Sequence, residues 1–99
     1  MKSYCDMKGF LTFSVLRMIS KKELSGEEIS EEIKKRKGCK PSPGTIYPVL
    51  KNLRENGLIK EIKSKGKLKK YKITIKGKKE LKIAIKKFVS IFCDMKEEF

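Results

Sequence analysis

The 99-residue chain carries 26 lysines and arginines against 12 acids, a formal charge of +14, with hydrophobic and charged shares both at 38%. That length supports one small core and not two, and so economical a core favours dimerisation as a way to bury more apolar surface. With no histidine and three scattered cysteines, the composition excludes a zinc cluster, a disulfide framework and a His-dependent catalytic site, so neither an enzyme nor a cofactor is expected. Part of the lysine excess is the kind that genome bias or a hot habitat produces. The rest favours an anionic partner, and its concentration in one short stretch favours nucleic acid over a membrane surface.

Met1 to Lys8 carries few structural signals and reads as a loosely docked arm. From Gly9 to Ser20, Leu11, Val15, Met18 and Ile19 recur at helical spacing, widened by Phe10, Phe13 and Leu16. This helix is more apolar than one small core requires, which makes Leu11 and Val15 candidates for a subunit interface. Thr12, Ser14 and Arg17 interrupt the run, and no stretch approaches the roughly 20 apolar residues of a membrane span. With Cys5, Cys39 and Cys93 far apart, a reducing cytoplasm is the expected setting.

Lys21-Lys22-Glu23-Leu24 reads as a connection, and Ser25-Gly26-Glu27-Glu28 as a capping box that opens a second helix with Ile29 and Ile33 inward. Its four acids, Glu27, Glu28, Glu31 and Glu32, favour the helix dipole and oppose the basic run Lys34 to Lys37. Gly38-Cys39-Lys40-Pro41 then makes a turn into the stretch on which the chain is organised, Pro41 to Gly57. There Ser42 is a natural N-cap, Pro43 suits the first helical position and Gly57 closes the far end. Ile46, Val49, Leu50 and Leu53 form its apolar face. Away from that face lie Ser42, Gly44, Thr45, Tyr47, Pro48, Lys51 and Asn52, most of them small or hydrogen-bonding. Pro48 lacks an N–H and costs about 3 kcal/mol inside a helix, so something other than stability favours it.

Leu58 to Lys63, the turn Ser64-Lys65-Gly66-Lys67 and Leu68 to Thr74 predict a β hairpin, with Leu68, Tyr71 and Ile73 inward. Between Leu58 and Lys76 there are eight lysines and one acid, Glu61, a net +7 in nineteen residues. Lys63, Lys65, Lys67, Lys69 and Lys70 are placed toward the tip, where they would meet phosphates. Thr74 caps a last helix over Gly77 to Phe99. Its residues Leu81, Ile85, Phe88, Phe92, Met95 and Phe99 step alternately by four and three, a heptad seam that predicts a helix pairing with a second copy.

The run Pro41-Ser42-Pro43-Gly44-Thr45-Ile46-Tyr47-Pro48-Val49-Leu50, with Gly57-Leu58-Ile59 after it and Lys70-Tyr71-Lys72-Ile73-Thr74 later, resembles the PadR family of transcriptional regulators. The likeness extends from about Gly9 to Leu81. It departs at Glu27, where relatives commonly place an aromatic residue after the glycine. The resemblance implies a mostly α winged helix-turn-helix with a small antiparallel hairpin, residues 1–76, and a C-terminal dimerisation helix, residues 77–99. It also implies a homodimer on double-stranded DNA and, in some relatives, a small aromatic effector. The resulting expectation is a sequence-specific regulator, a repressor at an inverted repeat, with the dimer face on Leu11, Val15, Leu81, Ile85, Phe88, Phe92 and Met95. The competing reading is a basic architectural or RNA-binding protein without sequence choice. The operator, the regulated genes and the sign of regulation are not legible in the residues.

Overall fold

Apolar residues three and four apart mark the four helices, and each helix turns at least part of that stripe to one shared interior. In the computed structural model, which describes residues 8–38, 40–63 and 69–95, four helices and three short strands follow in the order α1 (Lys8–Lys21), β1 (Leu24–Ser25), α2 (Gly26–Lys37), α3 (Pro43–Glu55), β2 (Ile59–Lys63), β3 (Lys69–Ile73) and α4 (Ile75–Met95). The helix α1 supplies Leu11, Val15, Leu16, Met18 and Ile19 to the core. Ile29 and Ile33 of α2 meet them, with Ile46, Val49, Leu50 and Leu53 of α3, and the sheet closes the core with Leu24, Ile59, Tyr71 and Ile73.

The caps read from the sequence are present except at Ser42, which stands at the N-cap position of α3 without a side-chain hydrogen bond to the backbone. Ser25 N–H donates to Glu28 Oε1 at 3.1 Å while Glu28 N–H donates to Ser25 Oγ at 3.2 Å, the reciprocal pair that starts α2. Gly38 ends that helix at φ 77°, and Gly57 takes φ 74° just beyond α3. Both angles lie where a Cβ is penalised. Thr74 Oγ1 donates to Gly57 O at 2.6 Å and accepts from Gly77 N–H at 3.0 Å, so one hydroxyl ties the end of α3 to the start of α4.

Three expectations are corrected. Leu24-Ser25 is not a plain connection but a third strand, with Leu24 opposite Tyr71 and Ser25 opposite Lys70, giving the antiparallel order β1-β3-β2. Two residues are too few to show a period of two, and their partner lies more than forty positions away. The last helix starts at Ile75, so the expected domain boundary falls within its first turn. Gly77 packs so closely there that a Cβ would stand 2.0 Å from Leu58 O. Leu11, Val15 and Leu81 are only 4%, 0% and 7% exposed, buried inside one chain, and so present no surface to a second copy. A heptad pattern records apolarity and not which neighbour covers it. Residues 1–7, Cys39, residues 64–68, among them Leu68, which the sequence placed inward, and Phe99 lie outside the described residues.

Candidate nucleic-acid interface

The apolar face of α3 is held by Ile46, Leu50 and Leu53 at 1% exposure each, which fixes what its other face presents. Ser42, Gly44, Tyr47, Pro48, Lys51 and Asn52 are exposed and Thr45 half-buried, so the structure brings these seven together on one solvent face. Pro48 lies inside the helix with its ring in solvent. At the N-terminus, Ser42 Oγ lies 3.2 Å from Thr45 Oγ1 and makes no side-chain cap to the backbone. This first turn keeps the electropositive character of a helix start. Tyr47 is 54% exposed and its ring edge rests against Gly26, where a Cβ would meet Cε1 at 3.3 Å. The glycine that opens α2 thus gives the tyrosine its seat.

Asn52 is less free than its exposure suggests. Its Oδ1 accepts from Asn56 Nδ2 at 3.1 Å, and its carbonyl accepts from the same amide at 2.8 Å. A two-point pairing with adenine uses both ends of the Asn52 amide, so its Oδ1 would accept from the base through the lone pair that Asn56 leaves open; a single donor contact to a phosphate or a base acceptor uses the Asn52 amide nitrogen alone. Lys51 reaches Glu55 at 4.0 Å, a loose surface pair that yields readily to a phosphate.

Two acidic clasps frame this face. Lys40 Nζ, in the turn before α3, lies 2.9 Å from Glu27 Oε1 and 2.8 Å from Glu31 Oε1. Hydrogen bonding to Glu31 and then Glu27 pushes the Lys40 ammonium pKa well up, and the same contact lowers that of Glu31. At the other end, Glu61 receives Lys69 at 3.2 Å and Arg54 at 3.1 Å. Its carboxyl is held below the usual range, first by Lys69 and then by Arg54. Neither clasp is evident from a sequence in which partners stand 9 to 13 or 7 to 8 positions apart on different elements. The one available signal was that Glu61 is the only acid in a basic hairpin.

In the hairpin, Lys63 and Lys69 stand directly opposite each other at the outer end, and both are exposed. Lys65 and Lys67 fall outside the described residues. Lys70 is corrected: it is half-buried and lies 3.7 Å from Glu28, turned toward α2 instead of the tip. Pairing with β1 explains this, because β3 is the central strand and Lys70 sits beside Ser25. Farther along α4, Ile83, Ile85, Phe88, Val89 and Ile91 are 38% to 57% exposed, and the Phe88 ring stacks on Phe13 with centroids 5.9 Å apart. The side chains of Phe92 and Met95 lie outside the described ones. No described helix is long and apolar enough to cross a membrane.

A helix-turn-helix whose second helix runs into a two-stranded wing is the winged-helix DNA-binding fold. The chain matches the model of the transcriptional regulator PadR-like family over residues 15–83, more than half its length, and it belongs to that family. A PadR family transcription regulator from Clostridium difficile R20291 is similar at 28% identity and TM-score 0.81, with 90% of this chain and 97% of that chain covered. A PadR-like regulator from Bacillus cereus gives 29% and 0.81, covering 92% of each. Bacillus subtilis PadR, solved in complex with operator DNA, gives 32% and 0.66, covering 77% of this chain and 47% of that one. No curated protein matches the chain in sequence.

Proposed function

We propose that this protein is a homodimeric, sequence-specific DNA-binding repressor that recognises an inverted repeat. The observation that carries the reading is the exposed α3 face set beside the basic wing, on a scaffold similar to a relative solved with operator DNA. In this reading the N-terminal half of α3 enters the major groove. Thr45 offers a hydroxyl and a methyl group, Lys51 and Asn52 offer donors, and Tyr47 braces the helix against Gly26. Lys63, Lys65, Lys67 and Lys69 lie on phosphates and add affinity without sequence information.

Two copies would pair through the apolar residues that α4 leaves uncovered, Ile85, Phe88, Val89 and Ile91. The two α3 helices would then reach successive major grooves about 34 to 36 Å apart. A small aromatic effector, as in some relatives, would enter between the paired helices beside the Phe13–Phe88 stack.

The test is fluorescence anisotropy on DNA from upstream of the gene, on scrambled DNA and on structured RNA, each at two salt concentrations. A preference for one upstream segment of about a thousandfold or more is the expected result. Equal, salt-sensitive binding to all three would replace this reading with that of a general architectural or RNA-binding protein. Changing Lys65, Lys67 and Lys69 together to alanine is expected to weaken binding to every DNA and to flatten the salt slope by about 0.9 for each phosphate no longer neutralised.

A further inference from the structure

The hairpin is pinned at its inner end by Ile59 and Ile73, at 2% and 6% exposure, and by Thr74 N–H donating to Leu58 O at 3.0 Å. Farther out, β3 is paired to β1 at Tyr71 and Lys70, and beyond that pairing the ties described are between side chains. On the α2 side Lys70 meets Glu28 at 3.7 Å. On the α3 side the described ion-pair tie is Glu61, which shares a sheet face with Tyr71, has a side chain 25% exposed and holds Arg54 of the last turn of α3 and Lys69 of β3 at once. A solvated charge in a lysine-rich hairpin would not be expected to select one partner from each element that faces DNA.

We infer that Glu61 is a positioning residue for operator discrimination: its carboxylate bridges Arg54 and Lys69 and so fixes the outer wing relative to the recognition helix. This rests on the DNA-binding reading above. Sequence readout needs the helix and wing to meet their contacts in one register, whereas phosphate contacts alone tolerate many. With the bridge intact, both cations are committed to one geometry. With it broken, each is free to follow any phosphate within reach.

The bridge makes a prediction that simple charge bookkeeping does not. Glu61→Gln removes a negative charge and should tighten binding to scrambled DNA; Arg54→Gln removes a positive charge and should loosen it. Both break the same bridge, so both should lower the ratio of operator to scrambled affinity, by about three- to tenfold, the scale of one partly exposed charge-assisted contact. Glu80→Gln removes the same charge as Glu61→Gln from an exposed position on α4, outside both α3 and the wing. It should tighten scrambled binding and leave the ratio unchanged. The three variants are compared with the unaltered protein by anisotropy on the upstream segment and on scrambled DNA, with thermal melts by circular dichroism confirming that each is folded.

A fall in the ratio for Glu61→Gln and Arg54→Gln together, with Glu80→Gln unchanged, is the expected result. A ratio unchanged in Glu61→Gln, or lowered equally in Glu80→Gln, would overturn the role assigned to the bridge while leaving the regulator reading in place. An unaltered protein that itself shows no preference would overturn both.

Discussion

The α3–wing half and the distal half of α4 both interleave apolar residues with lysines, yet only the first covers its own apolar face. Ile46, Leu50, Leu53 and Ile59 are no more than 2% exposed, whereas Ile85, Phe88, Val89 and Ile91 on α4 are 38% to 57% exposed. The reason is length. At about 1.5 Å per residue the 21-residue α4 outruns a core that takes Leu81 and, at its edge, Phe13, on whose ring the exposed Phe88 stacks. One half of the molecule is complete as a single chain, and the other has an apolar surface that a second copy would complete.

The largest expected effect tests the complete half. Leu53→Ala should cost about 2–5 kcal/mol in urea unfolding, and the loss should not depend on protein concentration. Next, Ile85→Glu with Phe88→Glu should leave the helical circular dichroism largely unchanged and halve the mass seen by light scattering. A dimer of unchanged mass would show that α4 is not the partner surface. Ser25→Ala, which removes the hydroxyl that accepts from Glu28 N–H at the start of α2, should cost about 1 kcal/mol and leave the mass in light scattering unchanged.

Acid provides the mildest probe. Glu28 is held below its ordinary value near 4.5, chiefly by the Ser25 backbone N–H, and Glu31 and Glu61 are lowered by their lysines. A carboxyl lowered by folding stabilises the fold above its unfolded pKa and ceases to do so as pH falls through the folded one. Stability should therefore be flat from pH 7 down to about 5 and decline below 4.5. Glu28→Gln should shallow that decline, measured as urea midpoints across the range, and a decline of unchanged steepness would remove Glu28 from the acid response.

Much of the fold was legible because its signals are local. A capping serine three residues before Glu28, a proline after Ser42 and a glycine after Asn56 each act within one turn, so periodicity and punctuation located all four helices and the hairpin. What escaped depends on partners remote in the chain. The strand Leu24-Ser25 exists because β3 arrives beside it, and Lys70 leaves the tip because Glu28 waits on the other side. The candidate site divides in the same way. Its α3 residues were readable as the face opposite Ile46 and Leu53, while the restraint of Asn52 by Asn56 and the Arg54–Glu61–Lys69 bridge were not.

The amino-acid order alone determined the ends of α2 and α3, the apolar faces and the basic hairpin after α3, since each rests on contacts within a few residues or on charge that geometry does not alter. Folding in three dimensions decided which apolar residues were spent on the core and which were left over. Leu11, Val15 and Leu81 went inward and Ile85, Phe88 and Val89 did not, because a hydrophobic side chain is driven out of water without regard to which surface covers it, and the order of packing assigns that surface.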